Sequence, residues 1–320
     1  MKLSNLCLYR LIEPIGLSPE ALAEALADHT WQPCGQFDAE TLGWHLPAAG
    51  IHDELVHAAE GRVLLNARRE TKLLPASVLR DHMRYAISDF EDQHGRKMGK
   101  NERETLRERV TLELLPRAFT RHADISVLID DRRGWLLVDS ASVVRAEAVT
   151  GLLRDALGSL RIRPPEPTSD PVEHMTRWLA RPGGLPRHFA LGDECELTDP
   201  DAGAVARLRR HTLTGSEVDS HLNAGKRVTR LGLDWREQAS FVLGDDLIVR
   251  KLKFADTLNE DERDDDEAAR FDADFALFSH TALAVCDDVL AALGGEATPS
   301  STSANARSGA AQRTATEEPA

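Results

Sequence analysis

"ISVLIDDRRGWLLVDS", residues 125–140, is the stretch that decides the fold. Two apolar runs flank a turn holding Arg132, Arg133 and Gly134, which is the pattern of a tight antiparallel hairpin. Hairpin connections build antiparallel sheet, whereas parallel neighbours need crossovers of about a dozen residues or more. Outward from this hairpin the pattern recurs. LCLYRL (6–11) reads as a strand, RVLLNARRETKLLP (62–75) as a long strand stopped by Pro75, and PCG (33–35) with GWHLP (43–47) as turns and short strands. Further strands fall near 187–197 and 204–213, followed by KRVTRLGLDW, ASFVLGD and LIVRKLKF, and DADFALF (272–278) reads as a last one. Strands and helices alternate irregularly, so the expected class is α+β with mixed, largely antiparallel sheets.

Helices are marked by their own signals. Ser18-Pro19-Glu20 opens one with an N-cap serine and a proline at the first helical position. Residues 76–116 predict a protruding helical hairpin. Leu79, Met83, Ala86, Ile87 and Phe90 recur at helical spacing, HGRKMGKN turns the chain, and Asn101 with Glu104 has the spacing of a capping box. Leu106, Val110 and Leu114 give the second helix its inner stripe before Pro116 ends it. Ser140 or Ser142 caps a helix to Leu157, another runs from Val172 to about Ala180, a short one from Ser216 to about Asn223, and Ser279 caps a final one ending at Gly294-Gly295. The four prolines of RIRPPEPTSDP (161–171) divide the chain into an N-terminal α+β region, 1–165, and a C-terminal one, 166–295. The Ser/Thr-rich stretch 296–320 carries no large apolar residue and is expected to be a disordered tail.

Hydrophobic content of 42% and charged content of 29% describe a globular chain. No uninterrupted apolar run approaches the roughly 18 residues of a membrane span, and the N-terminus has no small-residue cleavage site, so a cytoplasmic location without membrane attachment is expected. The four cysteines are scattered, with no spacing for disulfides or zinc. The net charge of −14 argues against a nucleic-acid partner until its distribution is considered. From Arg62 to Arg133 there are 16 basic against 12 acidic residues, and from Asp201 to Lys253 10 against 7. The acidity lies elsewhere, notably in seven acids between Glu260 and Glu267, a run expected to be a solvated loop.

Enzyme signatures fail on inspection. HDELVH (52–57) spaces its histidines five apart, not the four that share a helix face. HLNAGKRVT (221–229) has Ser220 where a phosphate-binding loop needs glycine and Arg227 where it needs Ser or Thr. No catalytic residue, metal site or cofactor is expected, and the chain reads as a non-enzyme. What remains is electropositive. Arg80 and Arg84 are four apart, as are Arg103 and Arg107, so each pair projects from one side of its helix. The turn between adds Lys97 and Lys100, and Lys226, Arg227 and the cluster VARLRRH add more. Interleaved glutamates leave open that the helical arginines are an ordinary solvated face. LLPRAFTRH (114–122) sets Phe119 between Arg117 and Arg121, either as a core anchor or as an exposed contact.

Together LYRL (8–11), PCG with GW (43–44), ARRETKLLP (67–75), LLPRAF (114–119), VDSAS (138–142), LRDALGSL (153–160), AGKRVTRLGLDW (224–235), LKFAD (252–256), RFDADF (270–275) and LGGEA (293–297) resemble the recombination-associated protein RdgC family, in order and over nearly everything before the tail. The resemblance implies a ring-shaped homodimer in the cytoplasm or nucleoid. It would bind double-stranded DNA without sequence preference in its central hole, limit access of a RecA-type recombinase, and so modulate recombination and replication-fork repair. The alternative is a regulator acting mainly by direct contact with the recombinase. On the first reading Arg80, Arg84, Lys97, Lys100, Arg103, Arg107, Arg117, Arg121, Lys226 and Arg227 meet phosphates, and Phe119, Arg210 and His211 lie at the dimer interface.

Overall fold

The computed structural model describes residues 3–255 and 266–297. Of the loop expected at 260–267, residues 260–265 lie outside the described residues, while Asp266 caps a helix that Glu267 opens; the tail from 298 onward lies outside them too.

The chain begins with β1 (Leu6–Leu11), α1 (Pro19–Ala27), β2 (Glu40–His45), β3 (His57–Ala59) and β4 (Arg62–Leu73). The helical hairpin follows as α2 (Ala76–His94) and α3 (Lys100–Leu114), then β5 (Phe119–Asp130), β6 (Trp135–Asp139), α4 (Val143–Leu157) and β7 (Ile162–Arg163). The second half holds α5 (Pro171–Ala180), β8 (Phe189–Thr198), β9 (Val205–Arg209), α6 (Ser216–Asn223), β10 (Arg227–Trp235), β11 (Ala239–Gly244), β12 (Val249–Phe254) and α7 (Glu267–Ala292). The class is α+β, as expected.

All these strands join one twelve-stranded sheet in the order β2-β4-β5-β6-β1-β12-β11-β10-β8-β9, with β3 on β4 and β7 on β1. Every pairing between named strands is antiparallel. Strands from the first half of the chain thus fill one end of the sheet and those from the second half the other. They meet at β1 and β12, where only Leu6 and Val249 are in register. One face is covered by α1 and α4 over a core that includes Trp44, Leu65, Val127 and Val138. The other packs α5 and α7 over Leu64, Leu128, Leu231 and Leu243.

Two sequence expectations change. DADFALF is not a strand, because α7 runs unbroken through it. Phe271, Phe275, Phe278, Ala282, Cys286 and Val289 follow each other at three- or four-residue steps, so the helical period carries straight through the aromatic run. Ser279 is therefore no cap. It is buried in mid-helix and its hydroxyl donates to the Phe275 carbonyl at 2.5 Å. By length and composition α7 also contains a window apolar enough to cross a membrane, against expectation, but this face is in the core. The second change concerns Glu296, placed in the tail by composition. It accepts from Arg10 Nε at 2.7 Å and lies 2.8 Å from Arg163 Nη2, which ties the end of the fold back to β1 and β7.

The candidate nucleic-acid interface

The helical hairpin is inserted between the two longest paired strands. β4 and β5 stay in register from Val63↔Ile129 out to Leu73↔Phe119. The last half of β5 is largely buried, while its first six residues are exposed, so the outer ribbon leaves the body as an arm carrying α2 and α3. The strand thus starts at Phe119, earlier than the apolar run at Ile125 suggests. Cross-strand pairs hold the ribbon there despite its polar sequence.

At the root of the arm, Arg68 donates to Asp124 Oδ1 and Oδ2 (2.8 and 3.0 Å), and its Nη1 lies 2.9 Å from His45 Nε2. Its guanidinium also sits 5.5 Å from the centre of the Trp31 ring. Hydrogen bonds from Arg68 hold the Asp124 carboxyl below its ordinary range. A planar fork bound on three sides is held in direction better than a point charge, so this cluster ties β4 to β5 and to β2 at the root of the arm.

The hairpin has its own small core. Met98, Leu106 and Val110 are buried against Leu79, Met83, Ala86, Ile87, Phe90 and Leu114, and no residue of this cluster joins the other two. Gly95, at φ 63°, closes α2 in the left-handed conformation that favours glycine. The N-terminus of α3 is satisfied two residues earlier than the Asn101–Glu104 spacing suggests. Glu102 accepts from the Gly99 N–H at 2.8 Å and takes both Nη groups of Arg96 at 2.6 and 2.8 Å. Arg96 foremost, then the Gly99 N–H, pulls the Glu102 carboxyl down to about 2.

One flank of the hairpin is basic. Arg80, Arg84, Ile87 and Glu91 follow at steps of four, three and four along one side of α2. Glu91 lies 3.9 Å from Arg103, which brings Arg103 and Arg107 of α3 beside that row. Two of the four arginines have carboxylate partners, Arg84 with Asp81 at 2.5 Å in an exposed pair and Arg103 with the half-buried Glu91 at 3.9 Å. Arg80, Lys97, Lys100, Arg107, Arg117 and Arg121 make no ion pair with any described residue.

Phe119 is not a core anchor. It is 84% exposed at the outer end of the ribbon, opposite Leu73, which is 48% exposed. Alternation along the strand puts Arg121 on its side. Sequence reading missed a third apolar group nearby. Lys72 Nζ donates to the carbonyls of Gly35 and Gln36 (2.6 and 2.7 Å), fastening to the ribbon the turn that carries the exposed Phe37. A lone aromatic in a polar turn was the only signal.

The remaining predicted residues lie at the opposite end of the sheet. Arg227 opens β10 with no ion pair to a described residue, and Lys226 Nζ donates to the Ala204 carbonyl at 2.8 Å. Arg210 and His211 follow β9, the edge strand. Arg210 is exposed and unpaired among the described residues, whereas His211 Nε2 stands 3.4 Å from Glu217 Oε1. The structure therefore gathers the hairpin and ribbon cations on one arm and keeps Lys226, Arg227, Arg210 and His211 apart from them. Arg145 is an exposed cation without an ion pair to a described residue that sequence reading did not single out, and Lys253, read from the sequence as basic together with Arg250 and Lys251, is another exposed cation without one.

The histidines of HDELVH prove to be neighbours off any helix. Their rings stack at 5.5 Å, and His57 is buried against the edges of Phe271 and Phe275. Among the described residues no three His, Cys, Asp or Glu side chains converge as metal ligands.

A family model described as "Putative exonuclease, RdgC" matches residues 1–296. A recombination-associated protein RdgC of Edwardsiella ictaluri is 41% identical over 91% of this chain and 97% of its own length. Proteins of the same name from Tolumonas auensis and Yersinia enterocolitica are each 39% identical over 92% of this chain, covering 99% and 98% of theirs.

Proposed function

We propose, from the fact that the chain belongs to the RdgC family of recombination-associated proteins, that it binds duplex DNA without sequence preference as a ring of two copies. Bound in this way it limits the access of a RecA-type recombinase and so modulates recombination and replication-fork repair in the cytoplasm or nucleoid. One observation carries the reading. The exposed apolar tip at Phe119 and the exposed edge at Arg210 and His211 stand at opposite ends of a single sheet, with uncommitted cations beside both. A ring of two copies needs two separated contacts per copy, and a lining of cations without carboxylate partners is what phosphates engage regardless of sequence. The net charge of −14 is compatible with this, because screening confines each cation's reach to roughly 8–10 Å.

The test is a mobility shift on random-sequence duplex across a salt titration, with light scattering for mass. Expected are a dimer and an affinity that falls steeply with salt. Failure to retard random duplex at low salt overturns the reading in favour of a direct contact with the recombinase. The protein is proposed to act by binding alone. Release of nucleotides from end-labelled linear duplex in the presence of magnesium overturns that part and supports the exonuclease named in the family description.

A further inference from the structure

A cavity of about 250 Å³ opens where the loop before α1 folds over the β3–β4 turn. Ile15, Leu17, Leu22, Ala59, Val63 and Ile129 give it an aliphatic lining. Asp131 fastens the loop over it, accepting from the N–H groups of Ile15 and Gly16 at 3.1 and 2.9 Å. The other two charged residues of its wall, Glu60 and Arg62, are paired with each other. The turn holds Glu60 and Gly61 in the left-handed conformation (φ 53° and 78°). Against Gly61 lies the guanidinium of Arg132, so close that a methyl group on the glycine would come within 3.0 Å of its Cζ. Arg132 is exposed and makes no ion pair or hydrogen bond with a described residue.

We propose that this cavity takes the C-terminal residue of a partner protein, with a large apolar side chain inside and the terminal carboxylate on Arg132. Whole small-molecule ligands fill pockets of about 300–1,000 Å³, so this smaller volume suits a single side chain. A planar guanidinium takes a carboxylate through two parallel hydrogen bonds, which fixes the terminus beside the mouth. Two features call for a peptide in place of a free acid. β3, whose Ala58 and Ala59 line the cavity, pairs with β4 on one side only, and its other edge is open to the backbone of the preceding residues. Leu17 and Ile12 of the same loop are exposed and extend the apolar surface beyond the mouth. The site lies at the end of β4 and β5 away from the arm, roughly 35 Å from Phe119 at about 3.3 Å per strand residue. It is also in the other half of the sheet from β9, so neither contact of the proposed ring covers it.

The experiment is fluorescence anisotropy of the full chain with two labelled peptides, fluorescein-Gly-Ser-Gly-Ser-Leu-Phe with a free C-terminus and the same peptide as its C-terminal amide. The free acid is expected to bind, and the amide on the order of tenfold more weakly. Arg132→Gln is expected to weaken the acid to the level of the amide and to leave the amide unchanged, because the guanidinium and the carboxylate act as one pair. Leu17→Glu, at the mouth, is expected to weaken both peptides. Both positions are exposed, a thermal melt checks folding, and should Leu17→Glu misfold the Arg132→Gln comparison decides alone. No binding of the free acid, equal binding of acid and amide, or indifference to Arg132→Gln overturns the proposal. So does 3-phenylpropionate binding as tightly as the peptide, which would make the occupant a small carboxylic acid. Retardation of random duplex is expected to be unchanged in Arg132→Gln, and its loss would assign this cation to the nucleic-acid interface and overturn the proposal while leaving the ring reading standing.

Discussion

Leu73 and Phe119 face each other as register partners at the outer end of the β4–β5 ribbon, both exposed, where β4 ends before the helical hairpin and β5 begins after it. An apolar pair so placed adds nothing to the protomer's core. Phe119→Ser should therefore change the protomer's stability no more than an ordinary surface substitution does, about 0.5 kcal/mol. On the proposed ring it weakens both the dimer and DNA binding. Light scattering and a thermal melt on one sample check this, and a globally unfolded variant contradicts it.

The basic flank predicts a salt signature. Replacing Arg80, Arg84, Arg103 and Arg107 together with Glu removes cations but no member of the hairpin's apolar cluster. Affinity for random duplex should fall, and the slope of log affinity against log salt should flatten by about 0.9 for each phosphate that the protein no longer neutralises. An unchanged slope excludes this flank from the interface.

Glu102 predicts how the hairpin responds to acid. Its folded carboxyl titrates at about 2 against an ordinary 4.5, so between these values the unfolded chain binds more protons. The stabilisation is complete above 4.5 and disappears as pH falls toward 2. Glu102→Gln should loosen the Gly95–Lys100 turn at neutral pH, and its difference from wild type should vanish in acid. Amide hydrogen exchange across α2 and α3 reads both effects.

His57 acts in the same direction at milder pH. Burial, its largest influence, lowers its pKa from 6.5, so protonation favours the unfolded chain. Its contribution is complete above 6.5 and is lost as pH falls through the folded value. His57→Leu should melt with less dependence on pH below 6.5 than wild type.

Arg62 is buried and donates from Nη1 to the Ala276 carbonyl and the Ser279 hydroxyl, both at 2.7 Å, pinning α7 to β4. Arg62→Met removes both bonds from a buried site, at a cost of about 1–3 kcal/mol in urea unfolding. A loss below about 0.5 kcal/mol would show that packing alone docks α7.

Local chemistry was legible from the chain. The hairpin around Arg132–Gly134, the span of α6 and the inner stripes of α2 and α3 follow from nearest-neighbour sterics and from apolar periods of two and 3.6 residues, which need no distant partner. Where two local signals competed the reading slipped. Aromatic density in DADFALF suggested a strand, although the spacing of Phe271, Phe275 and Phe278 was already helical. Asn101 and Glu104 had the right spacing for a cap, yet Arg96 reached back to draw Glu102 into that role.

The tertiary structure alone decided what is exposed and what is paired. Phe119 and Leu128 lie in one strand, and only the point where the ribbon leaves the body makes one bare and the other buried. The sequence sets down 39 basic residues without saying which meet a carboxylate, because partners such as Arg103 and Glu91, or Arg207 and Glu196, are joined by packing across helices and strands. Placing the arm and β9 at opposite ends of one sheet depended on strand order, which long-range pairing selects and local propensity cannot.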